Sequence, residues 1–118
     1  PMQYGFASYL QDESHYLNLL KFYQAKRDFF RDGLASTQLK LLPAPGTYFQ
    51  CVDYSKLNIP QAKLNELDFC QWLTTKIGVA AIPVSAFYEE PTESSVIRFC
   101  FAKQEQTLSN ALERLQNL

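Results

Sequence analysis

The stretch that most constrains the fold is Val96-Ile97-Arg98-Phe99-Cys100-Phe101-Ala102-Lys103, which runs on into Thr107-Leu108-Ser109-Asn110-Ala111-Leu112-Glu113-Arg114-Leu115. β-Branched and aromatic residues crowd positions 96–101, the composition of a strand. Strand side chains alternate, so Val96, Arg98 and Cys100 share one face and Ile97, Phe99 and Phe101 the other. From about Glu105 the chain changes period: Leu108, Ala111, Leu112, Leu115 and Leu118 repeat at helical spacing. A strand feeding straight into an amphipathic helix calls for a sheet with helices laid on it. The same strand sets a guanidinium among small apolar groups, which is costly unless an anion pairs with it. Its planar fork suits a carboxylate held by two hydrogen bonds. Taken alone, Arg98 has a plain structural reading, an internal ion pair or an edge-strand charge, beside the functional one of a grip on a ligand.

The rest of the chain supplies the remaining layers. Residues 3–11 form a short helical segment. Residues 12–14 can cap a longer helix running to about Gly33, a plausible glycine just past a helix end. In that helix Tyr16, Leu20, Tyr23, Phe30 and Leu34 make an apolar stripe interrupted by Arg27, most simply a core face. Residues 39–42 read as a short strand closed by the Pro43-Ala44-Pro45-Gly46 turn. Residues 47–54 read as a second strand, with Thr47, Phe49, Cys51 and Asp53 opposite Tyr48, Gln50, Val52 and Tyr54. A polar linker containing Pro60 follows. Asn65, with Asp68 three residues on, opens a helix to Ile77 that Gly78 ends, with Leu67, Cys70, Leu73 and Ile77 inward. Residues 79–82 are a short strand broken by Pro83, which lacks the amide a central strand needs. Residues 87–95 form a polar loop. The order predicts an α+β domain, a small sheet of about three to four strands with helices packed mainly on one face.

Length and charge remove several functional classes. At 118 residues with 47% apolar content, the chain is one domain with enough material for a core. A net charge of −1 without like-charge runs argues against nucleic acid or an anionic membrane as partner. No apolar run approaches the roughly 20 residues of a membrane span. The three cysteines, Cys51, Cys70 and Cys100, are widely spaced in apolar settings. They predict buried hydrophobes in a reducing compartment, hence a cytoplasmic protein. The chain opens at Pro1 with a helical segment already under way, the expectation for a piece of a longer protein.

Most catalytic templates fail on inventory. The single histidine, His15, stands at a polar helix start and reads as solvated, which leaves a serine or cysteine nucleophile without its base. No cluster has metal-ligand spacing, so no metal residue is assigned. Glu89, Glu90 and Glu93 read as a solvated turn. The four glycines are isolated and form no phosphate-cradling loop. None of the seven lysines has the apolar setting that would desolvate it for a Schiff base.

Three segments nevertheless carry a resemblance in order and spacing: Pro45-Gly46-Thr47-Tyr48-Phe49; Gly78-Val79-Ala80-Ala81-Ile82-Pro83-Val84-Ser85-Ala86-Phe87-Tyr88; and Ile97-Arg98-Phe99-Cys100-Phe101-Ala102-Lys103. Together they resemble the C-terminal small domain of class I and II, fold-type I, pyridoxal-phosphate aminotransferases, within the methionine and kynurenine aminotransferase-like branch. His15-Tyr16-Leu17, Phe22-Tyr23-Gln24-Ala25-Lys26-Arg27-Asp28 and Asp68-Phe69-Cys70-Gln71-Trp72-Leu73 match that branch too, so the likeness spans nearly the whole chain.

The resemblance implies that Arg98 holds the substrate α-carboxylate and that Phe49 lines the substrate side-chain pocket, where a core aromatic is the standing alternative. Residues 81–84 resemble a stretch that closes over the substrate entrance. The cofactor-binding lysine, aspartate and phosphate ligands belong to a large domain that precedes this segment in the family. Residues 1–12 would be that domain's tail or a connecting helix, and residues 13–118 the small domain. The chain alone is therefore expected to hold no catalytic residue, to bind no pyridoxal phosphate tightly and to be inactive. The full-length protein would be a homodimer passing an amino group from methionine or an aromatic amino acid to a 2-oxo acid. The rival readings are a stand-alone α+β module binding a small acidic ligand without catalysis, and a purely structural domain.

Overall fold

The computed structural model describes residues 1–90, 92 and 94–118. Its helices are α1 (Met2–Tyr9), α2 (Ser14–Leu17), α3 (Leu19–Leu34), α4 (Glu66–Trp72) and α5 (Glu105–Leu115), and its strands β1 (Lys40–Leu41), β2 (Phe49–Asp53), β3 (Ile82–Pro83) and β4 (Val96–Cys100). All four strands join one antiparallel sheet in the order β1-β2-β4-β3. This is the α+β arrangement expected, with the Arg98 strand in the interior of the sheet.

The alternation along β2 and β4 decides which face the helices cover. Val52, Tyr54, Ile97 and Phe99 are buried, whereas Phe49, Cys51, Arg98 and Cys100 are half-buried. On the covered face Phe30 of α3 meets Phe99 edge-on at 5.9 Å, and Phe69 of α4 stacks on Tyr54 at 3.9 Å. Leu108, Leu112 and Leu115 of α5 complete the core. One buried polar group lies on this face: the Gln50 amide accepts from Arg31 Nη1 at 2.6 Å and donates to the carbonyls of Leu42 and Cys51. Each hydrogen-bonding atom of that amide therefore has a partner.

Several local expectations need correction. The helix predicted from residues 12–14 to Gly33 is broken at Asn18 into α2 and α3, and Gly33 lies inside α3. A Cβ on Gly33 would overlap the Leu112 side chain, so glycine there permits close approach of α3 and α5. The stripe on α3 is buried only toward its C-terminal end: Phe30 and Leu34 are buried, while Leu20 is exposed. Leu67, placed inward by periodicity, is also exposed, and Phe69 takes the inner face of α4 instead. The strand predicted over residues 79–82 is confined to its last residue, Ile82, and Pro83 continues it as part of β3, paired with Ile97. β3 is an edge strand, where a missing amide costs no ladder bond.

The caps around α4 follow the sequence. Asn65 accepts from the Asp68 amide at 2.9 Å. After Trp72 the helix continues as a wider turn over Leu73–Ile77 and stops at Gly78, whose φ of 76° is left-handed. Arg114 Nη1 donates to the carbonyls of Ile77 and Gly78 there, tying α5 to this end.

At the other end of the chain, α1 buries no residue, and Met2, Tyr4, Phe6 and Leu10 are at least half exposed. The molecule extends 53 Å along its longest axis, with a radius of gyration of 16.9 Å. A compact chain of this length has a radius nearer about 13–14 Å.

Candidate functional site: an arginine between two phenylalanines

Arg98 occupies the sheet face that the helices leave open. Its register partners are Cys51 on β2 and Ile82 on β3, so the guanidinium is flanked by strands on both sides. Two aromatic rings meet it there. Its Cζ lies 3.9 Å from the ring centroid of Phe49, at the start of β2, and 4.7 Å from that of Phe87, which ends the turn after β3. Ring faces attract a cation through their quadrupole, and each contact of this kind is worth about 0.5–2 kcal/mol.

The polar side of the guanidinium is less well supplied. Its Nε is buried and has no hydrogen-bond partner among the described residues. The ion pairs found among those residues are Arg27–Asp28 at 2.8 Å and His15–Asp12 at 3.6 Å, neither of which touches Arg98. An unpaired buried donor costs about 1–3 kcal/mol. The two rings contact the guanidinium without satisfying its Nε, a setting that suits a planar anion.

Phe49 therefore lies on the open face against Arg98, not in the core. Its ring is also 4.3 Å from that of Tyr48. Local backbone geometry fixes its entry into β2. Thr47 has a φ of 64°, unusual for a β-branched residue, and its Oγ1 accepts from the Phe49 amide at 3.1 Å.

Phe87 is the residue that sequence reasoning missed. It opens the segment that reads as a polar loop, and no periodicity marks a residue in a single helical turn (Val84–Phe87). Beside it stands Glu66, only 4% exposed. Its carboxylate accepts from the Ser85 amide at 2.6 Å, from the Val96 amide at 2.9 Å and from the Ser94 hydroxyl. Burial pushes this carboxyl's pKa up, but the hydrogen bonds from Ser94, Ser85 and Val96 outweigh that and hold it below its ordinary value. In sequence Glu66 is one acidic residue in a helix's first turn, and its partners stand 19 to 30 residues away.

The remaining candidates fall outside this site. His15 is stacked on Tyr9 at 4.0 Å on the exposed N-terminal helices. Glu89 and Glu90 are exposed, and Glu93 lies outside the described residues. Among the described residues no group of acidic, histidine or cysteine side chains could hold a metal ion. Among the described residues, too, no helix is long and apolar enough to cross a membrane. Six of the seven lysines are exposed. The seventh, Lys26, is half-buried and donates to the Lys103 carbonyl at 2.6 Å. A Schiff base needs a desolvated amine, so the lysines of this chain do not fit pyridoxal phosphate.

The family model for aminotransferase class I and II matches residues 1–115. Methionine aminotransferase from Escherichia coli is 47% identical over all of this chain, which covers 30% of that protein. Kynurenine–oxoglutarate transaminase 1 from Rattus norvegicus is 34% identical over 90% of the chain, corresponding to 27% of its own length. The crystal structure of the Escherichia coli methionine aminotransferase YbdL superposes with a TM-score of 0.82 at 48% identity, over 91% of this chain and 27% of that one. N-Succinyldiaminopimelate aminotransferase from Mycobacterium tuberculosis superposes with a TM-score of 0.83 at 33% identity, over 98% of this chain and 29% of that one. The chain thus spans less than a third of the length of these relatives. With a family model matched along nearly its whole length, it belongs to the class I and II aminotransferases.

Proposed function

We propose that the protein carrying this chain is a pyridoxal-phosphate-dependent aminotransferase, transferring an amino group from methionine or an aromatic amino acid to a 2-oxo acid. The chain is its small domain and supplies Arg98 as the grip on the substrate α-carboxylate. The observation that carries the reading is the guanidinium stacked on Phe49 and Phe87, with a buried Nε left without a partner. A carboxylate in the plane of the fork accepts two charge-assisted bonds while the rings close off its faces. Phe49 and the exposed Phe87 then offer an apolar wall to the substrate side chain, in keeping with the methionine and kynurenine aminotransferases among the relatives.

Pyridoxal phosphate would supply the electron sink, held by a large domain outside this chain. This chain's own part is to bind and orient the substrate carboxylate and, on domain closure, to exclude water. Residues 1–12 serve as the tail of the large domain or the connection to it, and the lack of buried residues on α1 supports this assignment. Without that domain the chain is inactive. The family resemblance supports a homodimeric state for the whole protein, and the free cysteines support a cytoplasmic one.

The test is transamination of methionine with a 2-oxo acid by the full-length protein, comparing wild type with Arg98→Ala. Loss of a bidentate charge-assisted contact is expected to lower kcat/KM by about a hundredfold or more, equivalent to about 3 kcal/mol or more. An active wild type with an equally active variant makes Arg98 structural. A wild type inactive with every amino donor returns the chain to the binding-module reading.

A further inference from the structure

We infer that Glu66 is a positioning residue for the carboxylate grip, fastening the two segments that carry Phe87 and Arg98 to the start of α4. The inference rests on the reading of Arg98 as the substrate-carboxylate ligand. The Arg98 Nε has no hydrogen-bond partner among the described residues, so contact with Phe49 and Phe87 sets the direction of the fork. Phe49 is built into β2, whereas Phe87 ends a turn of four residues behind a two-residue edge strand. A short turn on a sheet edge needs an outside anchor to keep its ring over a guanidinium.

Glu66 is that anchor. One carboxylate oxygen accepts from the Ser85 amide, two residues before Phe87 within the same turn. The other accepts from the Ser94 hydroxyl and from the Val96 amide, two residues before Arg98 on the same strand face. A movement of Val96 thus passes directly to Arg98, since residues two apart along a strand move with one pleat. The carboxylate itself is fixed by the α4 backbone, whose N-terminus Asn65 caps. All three donors need an acceptor, and an ionised carboxylate has the lone pairs for them. A glutamine presents only one acceptor oxygen and sets an NH2 group against at least one donor, which releases either the Phe87 turn or the head of β4.

The test uses the pyridoxal-phosphate holoenzyme of the full-length protein and 4-(methylthio)butanoate, which is methionine without its amine. Its inhibition constant reports carboxylate binding without chemistry, and the cofactor absorbance and Tm report the rest of the enzyme. Glu66→Gln is expected to raise the inhibition constant and the KM for methionine about tenfold, with cofactor absorbance unchanged and kcat altered less than KM. A role in stability alone would lower Tm and leave the inhibition constant of the folded holoenzyme in place, which overturns the inference. Arg98→Ala separates the two levels. If it raises the inhibition constant and Glu66→Gln does not, Arg98 keeps its role and Glu66 loses its own. If Arg98→Ala leaves the constant unchanged, the reading of Arg98 fails and takes this inference with it. Should Glu66→Gln not fold, Ser94→Ala removes one donor and carries the same test, with an expected rise of about threefold. No rise then overturns the inference.

Discussion

At the scale of single residues, the open face of the sheet and the covered one give similar side chains different chemistry. Cys51 and Cys100 lie half-buried on the Arg98 face, whereas Cys70 is buried under the sheet. Burial, helped by the nearby negative charge of Glu66, pushes the Cys70 thiol up to about 11. Relative to an ordinary thiol near 9, that is about a hundredfold less thiolate at pH 8. Cys70 should therefore resist alkylation by iodoacetamide at that pH until urea unfolds the chain, a difference that peptide mass spectrometry measures directly. Labelling of Cys70 at the rate of Cys51 in the native protein would contradict its burial. Arg98 shows the converse situation. Its alternation with Ile97 and Phe99 was legible in the strand pattern, but the ring of Phe87 over it was not, because that contact joins segments with no common period.

At the scale of elements, the packing of α3 on α5 turns on one missing methyl group. Gly33 admits the Leu112 side chain where a Cβ would stand. Gly33→Ala gains about 1 kcal/mol of helix propensity but forces a buried leucine to move, an overpacking cost of about 1–3 kcal/mol. The net expectation is a destabilisation of about 1 kcal/mol in urea denaturation. In a Leu112→Ala background the same substitution should become stabilising, because the obstruction is gone. A stabilising Gly33→Ala in the wild-type background would rule this account out. Read along the sequence, Gly33 looked like a helix terminator. Glycine signals both a stop and a close approach, and only the partner helix distinguishes them. Gly78 was legible as a stop because a left-handed residue and a period change fall at the same place.

For the whole molecule, Glu66 joins the α4 start, the Phe87 turn and the head of β4, so its ionisation is coupled to folding. Its folded pKa lies below the ordinary 4.5. A depressed acid contributes stability that is fully present above its unfolded value and lost as pH falls through the folded one. Tyr54, pushed up to about 12 chiefly by burial, and Cys70, at about 11, are the other titratable groups whose charge is felt here, and both stay neutral throughout that window. The urea midpoint is expected to fall as pH drops below about 4.5, with a shallower fall in Glu66→Gln. Parallel acid profiles for the two proteins would show that Glu66 does not carry this linkage.

Periodicity and turn chemistry by themselves determined the layers: the alternation of β2 and β4, the amphipathic α5, the Asn65 cap and the Gly78 stop. These are local patterns, set by residues within a few positions of one another. The order and spacing of short motifs along the chain also carried the family resemblance. The tertiary structure alone decided which aromatic rings meet the guanidinium, which glycine is a packing contact and which carboxylate holds the site's edge together. Phe49 and Phe87 reach Arg98 from opposite sides of β4, and Glu66 reaches its donors across 19 to 30 residues. The physical reason is that chain folding makes such contacts between segments whose separation obeys no repeat, so they leave no periodic trace in the sequence.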